Sequence, residues 1–116
     1  MADLKFDGAW TALVTPFNED GSLDLDGFQR NIDFQVAQGI TGILPVGTTG
    51  ESPSLNWEEH GEVIDKGIEF NGGRTKLLAG TGSNSTAEAL ESSRHAHENG
   101  ADAVLLIAAM LTREYL

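Results

Sequence analysis

The sequence contains no cysteine. Disulfides, thiolate catalysis and Cys-ligated zinc are therefore excluded for this chain. Basic residues are scarce: Lys and Arg number 7 against 18 Asp and Glu, a formal net charge of -11. That balance argues against nucleic acid, whose phosphates are bound by Lys and Arg, and against anionic membrane surfaces. It does not bar a small anion, because a nest of backbone N–H groups can hold a carboxylate without a cation. Long apolar runs are also missing, and none approaches the roughly 20 residues of a membrane span. Met1-Ala2-Asp3-Leu4-Lys5 leads into no apolar signal segment. A cytoplasmic protein is the expectation.

What the chain does have is alternation. Ala9-Trp10-Thr11-Ala12-Leu13-Val14 is a short run rich in β-formers. Thr15-Pro16 ends it, since proline cannot donate to a ladder. Asn18-Glu19-Asp20-Gly21 reads as a turn. Asp24 fits the N-cap of a first helix, in which Leu25, Phe28, Ile32 and Val36 recur at helical spacing. Gly39 stands where a left-handed C-terminal residue is expected. Gly42-Ile43-Leu44-Pro45-Val46 is a second strand, with Pro45 pointing to an irregular end. Asn56 and Glu59 have capping-box spacing for a second helix, which carries Val63, Ile64, Gly67 and Ile68 on its small and apolar face. Asn71-Gly72-Gly73 stops that helix. Lys76-Leu77-Leu78-Ala79 is a third strand. Ser85 and Glu88 repeat the capping-box spacing for a third helix, which ends at Gly100. Ala103-Val104-Leu105-Leu106-Ile107 is a fourth strand. Ala108 to Leu116 reads as a short amphipathic or frayed helix. The order is βαβαβαβ, and short apolar strands alternating with helices predict a parallel sheet covered by helices in a single domain, 1–116.

Two glycine-rich loops leave the C-terminal ends of these strands, where parallel α/β architectures build their sites. The first is Gly47-Thr48-Thr49-Gly50-Glu51-Ser52. Its glycines let the backbone turn sharply and approach a ligand. Its two threonines offer hydroxyls and N–H groups together, a combination that can hold a carboxylate. The same hydroxyls can instead satisfy their own turn. Glu51 fits an acid or base, but capping the next helix or bridging neighbouring backbone groups fits it better. The second loop, Gly80-Thr81-Gly82-Ser83-Asn84, lacks the Gly-Lys-Ser/Thr ending of a nucleotide loop and the complete dinucleotide fingerprint. A nucleotide-binding flavodoxin-like domain fits the strand–helix alternation but fails on that loop chemistry.

His60, His95 and His97 show no metal-ligand spacing and read as surface or interface residues. No metal site is expected. The only lysines are Lys5, Lys66 and Lys76. A Schiff-base lysine needs a desolvated position at the active face. Lys76 begins its strand at the opposite end, Lys66 is on an outer helix, and Lys5 is in the N-terminal tail.

Three segments in order, Trp10 to Phe17 (W-T-A-L-V-T-P-F), Gly47 to Ser52 (G-T-T-G-E-S) and Gly80 to Glu88 (G-T-G-S-N-S-T-A-E), resemble the opening motifs of the dihydrodipicolinate synthase and N-acetylneuraminate lyase family. The likeness covers about Phe6 to Ile107. It implies the N-terminal half of a (β/α)8 TIM barrel. It also implies the lyase or aldolase chemistry of that family, a Schiff base between a strand-six lysine and pyruvate or another 2-oxo acid, with no separate cofactor. By resemblance, Thr49 holds the pyruvate carboxylate through its N–H and hydroxyl, beside Gly47. Thr48 sits in a hydroxyl relay with two tyrosines, and Thr15-Pro16 belongs to the loop flooring the pocket, with Glu51 a further candidate support. In lysine-regulated members, Ser52, Pro53, His60, Gly82, Asn84 and Glu88 fall at effector-site positions. Trp57 stands where such members often have histidine.

A complete barrel of this kind needs roughly 250 residues, and this sequence has 116. After Ile107 the family continues with a Pro-Tyr-Tyr-like segment, whereas this chain reads Ala108-Ala109-Met110-Leu111. The pattern is that expected of a truncation, a frameshift or an engineered fragment. The Schiff-base lysine, the relay tyrosine and the later strands are not in it, so the chain alone is expected to be inactive. The alternative is a non-catalytic half-barrel that binds or assembles, either with itself or with a complementary half, because torn sheet edges and exposed apolar faces seek partners.

Overall fold

A computed structural model describes residues 4–107. Its four strands are β1 (Trp10–Ala12), β2 (Gly42–Leu44), β3 (Lys76–Gly80) and β4 (Ala103–Leu105). They alternate with three helices, α1 (Leu25–Ala37), α2 (Trp57–Asn71) and α3 (Thr86–Asn99). The sheet order is β1-β2-β3-β4, every pairing parallel. This is the expected βαβαβαβ succession. The strands at both ends of the sheet, and β2, are shorter than the sequence suggested. The helix expected over Ala108 to Leu116 lies outside the described residues.

Each helix starts and stops where its local chemistry dictates. The Asp24 carboxylate accepts the Gly27 N–H at 2.9 Å and opens α1. Gly39 follows the end of α1 with φ 79. At α2 the capping box is complete. Asn56 Oδ1 accepts the Glu59 N–H at 2.9 Å, and Glu59 Oε2 accepts the Asn56 N–H at 3.0 Å. Gly72 and Gly73, both at positive φ, end α2. At α3 the box is one-sided. Ser85 accepts the Glu88 N–H at 3.4 Å, but the Glu88 carboxylate takes the Ser83 hydroxyl at 2.6 Å instead of the cap N–H. The Ser85 N–H goes to Ser83 Oγ. Gly100, φ 108, ends that helix.

The core lies between the helices and one face of the sheet. Ile43 and Leu77 pair across β2 and β3 and are buried together with Phe28, Ile32, Val63 and Ile64. The buried residues of α3 are small, Ser92 and Ala96, which lets that helix approach the sheet closely. The other face follows from the period of two along a strand. Ala12 pairs with Leu44, Leu78 with Ala103 and Gly80 with Leu105 on that side. It is open among the described residues: Val14 is 53% exposed, Leu105 37% and Ile107 55%. Near the N-terminal ends of the strands the Trp10 ring lies across Gly42, where any side chain would collide with it. Among the described residues no helix is long and apolar enough to cross a membrane.

Candidate functional site at the C-terminal ends of the strands

The loop after β2 is shaped by backbone geometry before any side chain acts. Pro45 ends the strand, and its carbonyl accepts the Gly80 N–H at 3.0 Å. Val46 then takes φ 60, a left-handed conformation that a β-branched residue rarely adopts, while buried to 2% exposure. This reversal swings Gly47-Thr48-Thr49-Gly50 over the strand ends. Gly47 O accepts the Gly50 N–H at 3.0 Å and the Ser52 N–H at 3.4 Å, and Thr48 O accepts the Glu51 N–H at 3.0 Å. The N–H groups of Thr48 and Thr49 take no part in these turns, and both threonines are exposed.

Two neighbours hold this loop down. Thr15 is 5% exposed, and its hydroxyl donates to the Gly50 carbonyl at 2.7 Å. Gly50 is wedged so tightly that a Cβ there would stand 3.1 Å from both Leu13 O and Val46 N. Pro16 is half-buried, and its carbonyl accepts the Asp24 N–H at 2.9 Å, which ties the same segment to the start of α1. Glu51 behaves differently from expectation. It sits at φ 60 before a short 3-10 turn over Ser52–Ser54 and makes no side-chain capping bond, so it neither caps nor bridges.

A cavity of about 300 Å³ opens beside the loop. Gly47 and Thr48 line it, while Thr49, Thr15, Pro16 and Glu51 do not. Ser52, Pro53, His60, Gly82, Asn84 and Glu88, six positions scattered over 37 residues of sequence, come together in its wall, with Trp57. Of the surface or interface positions expected for the histidines, His60 does not take the surface one. It is 6% exposed, and Trp57 stacks on its ring at 5.6 Å and 12°. Burial lowers its pKa below the usual 6.5, opposed by the Glu88 carboxylate. The helical spacing of Trp57 and His60 was the available signal for this stack. Thr81 was also missed: it is fully buried, donates its N–H to Leu105 O at 3.1 Å and shares a 2.8 Å hydroxyl contact with Ser93 on α3.

The lysines are where strand order put them. Lys76 Nζ donates to the Lys5 carbonyl at 3.2 Å at the N-terminal ends of the strands, and Lys66 pairs with Glu69 at 2.8 Å on α2. Neither reaches the loops. Among the described residues no group of three His, Asp or Glu is arranged to hold a metal.

The model of the Dihydrodipicolinate synthetase family matches residues 5–113, beginning before Phe6 and continuing past Ile107. The chain belongs to this family. The 4-hydroxy-tetrahydrodipicolinate synthase of Gluconacetobacter diazotrophicus is 52% identical over 108 residues, covering 93% of this chain and 36% of that protein. The crystal structure of dihydrodipicolinate synthase from Aquifex aeolicus is 46% identical with a TM-score of 0.84, covering 87% of this chain and 34% of that one. The Acinetobacter baumannii enzyme, solved with pyruvate, is 39% identical with a TM-score of 0.88, covering 92% and 37%. The chain thus spans about a third of the length of the dihydrodipicolinate synthase relatives it matches. Its four parallel strands and three helices are the N-terminal half of their TIM barrel.

Proposed function

We propose that this chain supplies the carboxylate-binding half of a pyruvate-dependent aldolase site. The observation that carries the reading is the Gly47–Ser52 loop. Its turns use the Gly50, Glu51 and Ser52 N–H groups and leave those of Thr48 and Thr49 out of these bonds at an exposed position. Two neighbouring N–H groups and two hydroxyls suit the oxygens of a 2-oxo acid carboxylate. Thr49 is the carboxylate-binding residue in this reading, and Gly47 gives the ligand close access to the backbone. Thr48, which also lines the adjoining cavity, passes a proton through its hydroxyl. The Thr15-Pro16 segment supports the loop from behind, through the Thr15 hydroxyl donated to the Gly50 carbonyl. The relative solved with pyruvate supports the choice of 2-oxo acid.

The reaction is aldol condensation or cleavage through a Schiff base and needs no separate cofactor. The amine that attacks the 2-oxo carbon comes from outside these 116 residues, because Lys66 and Lys76 are engaged away from the C-terminal strand ends and Lys5 is exposed in the N-terminal segment. Borohydride reduction in the presence of pyruvate, followed by intact mass measurement, tests this division. The expected spectrum shows the unmodified mass. A pyruvyl adduct on Lys5, Lys66 or Lys76 would overturn it.

A second reading concerns assembly, and one observation favours it. Among the described residues β1 and β4 each pair on one side only, and the sheet face between them exposes Val14, Leu105 and Ile107. Four further parallel strands would close the barrel over that face. We infer that a complementary half-barrel, or a second copy related by a two-fold axis, covers it. Sedimentation at rising concentration is expected to show association through this face. A monomer at every concentration would overturn the second-copy version.

A further inference from the structure

We propose that Thr15 is the positioning residue of the carboxylate loop: its buried hydroxyl, donated to the Gly50 carbonyl, sets where Thr48 and Thr49 present their N–H groups. The inference rests on the carboxylate reading above and assigns that site a determinant lying 35 residues away in sequence.

The geometry around Gly50 makes the case. The loop has two anchors to the strand ends, one at each side. On the β2 side Val46 is fixed in a left-handed conformation, buried among core residues. On the other side Gly50 lacks a side chain and packs directly against Leu13 O and Val46 N. Packing alone limits how far Gly50 can move inward and does nothing to stop it lifting away. The Thr15 hydroxyl supplies the outward restraint, a 2.7 Å hydrogen bond to Gly50 O with Thr15 only 5% exposed. A bond so shielded meets little competition from water. Thr48 and Thr49 occupy the span between the two anchors, and the turn bonds from the Gly50 N–H to Gly47 O and from the Glu51 N–H to Thr48 O transmit the position of Gly50 to them. Thr15 itself lies outside the cavity wall. It acts on the ligand only through Gly50.

Titration of sodium pyruvate into the 15N-labelled chain, followed at the Thr48 and Thr49 amides, tests the assignment across four proteins. These are the wild type, Thr15→Val, Thr15→Ser and Ile32→Val. The last is a core change in α1, remote from the loop, that lowers stability without touching Gly50. Thr15→Val keeps the shape and removes the donor. It is expected to raise the pyruvate dissociation constant at least tenfold. Thr15→Ser restores the hydroxyl and is expected to bind within threefold of wild type. Ile32→Val is expected to leave binding unchanged, which separates positioning from general stability. Thr15→Ala takes the place of the Val variant if that one does not fold, with the same tenfold criterion. Wild-type affinity in the donor-less variant would overturn the role of Thr15 and leave the carboxylate reading standing. A wild-type chain whose Thr48 and Thr49 amides do not respond to pyruvate would overturn both.

Discussion

Gly80 lies flush against Val46: a side chain on Gly80 would run into the carbonyl oxygen of Val46 and the Gly47 N–H. This contact joins the ends of β2 and β3 at the point where the Gly47–Ser52 loop departs. It also stabilises the left-handed turn at Val46, since the Gly80 N–H bonds the Pro45 carbonyl one residue earlier. Gly80→Ala is therefore expected to cost about 3 kcal/mol or more, the upper range for a steric insertion into packed backbone. Gly61, within α2, has nothing within 4 Å of where its Cβ would be. Gly61→Ala should stabilise by roughly 0.5–1 kcal/mol through helix propensity alone. Denaturant unfolding of the two variants should move in opposite directions.

The helix caps make a graded pair. Asn56 is one half of a reciprocal box with bonds of 2.9 and 3.0 Å. Asn56→Ala should lower stability by ~1 kcal/mol or somewhat more. Ser85 makes a single bond of 3.4 Å, and Glu88 does not return it. Ser85→Ala should cost no more than about half as much as Asn56→Ala, since a long one-sided bond is the weaker cap. Thermal unfolding of both variants orders them directly. Equal losses would contradict the one-sided box at α3.

Ile64 has no exposed surface and sits among Phe28, Ile32 and Val63. Ile64→Ala should destabilise by about 2–5 kcal/mol through lost transfer energy and a cavity. Exposed Leu90, 58% accessible on α3, should tolerate the same truncation within about 0.5 kcal/mol. Chemical denaturation of each variant measures the contrast.

His60 gives the chain a pH dependence of definite sign. Burial lowers its folded pKa below 6.5. The unfolded chain therefore binds the proton more readily than the folded one. The penalty is absent above pH 6.5 and grows as pH falls through that value toward the folded pKa. The melting temperature should drop between pH 7.5 and 5.5. His60→Phe keeps a ring stacked on Trp57 and removes the titrating group, so it should flatten that drop. An unchanged pH profile in the variant would assign the dependence elsewhere.

The sequence was most informative where local chemistry decides. Asp24, Asn56, Gly39, Gly72 and Gly100 act at helix ends as their residue types require. The strand–helix alternation carried the parallel sheet, and the order of the strands placed all three lysines away from the loops. The losses came where distant segments meet. Glu88 has the right spacing for a capping box, yet Ser83, folded back by the preceding loop, captures its carboxylate. His60 reads as a surface or interface residue, yet within the chain itself the loop after β3 and the Trp57 ring pack around it. Thr15 looks like a strand terminator, and only the three-dimensional approach of Gly50 reveals its hydrogen bond. The strand ends were overestimated for a related reason. Val46 is β-forming by type, but the turn over the strand ends places it in the left-handed region.

In the proposed site the Thr48 and Thr49 N–H groups receive a 2-oxo acid carboxylate. Parallel titrations of the 15N-labelled chain with pyruvate and with its amide, pyruvamide, address it directly, because the two differ in the carboxylate alone. Saturable shifts at Thr48 and Thr49 with pyruvate, together with no response to pyruvamide, are the predicted result. Equal responses to both, or shifts confined to residues outside Gly47–Ser52, would contradict it.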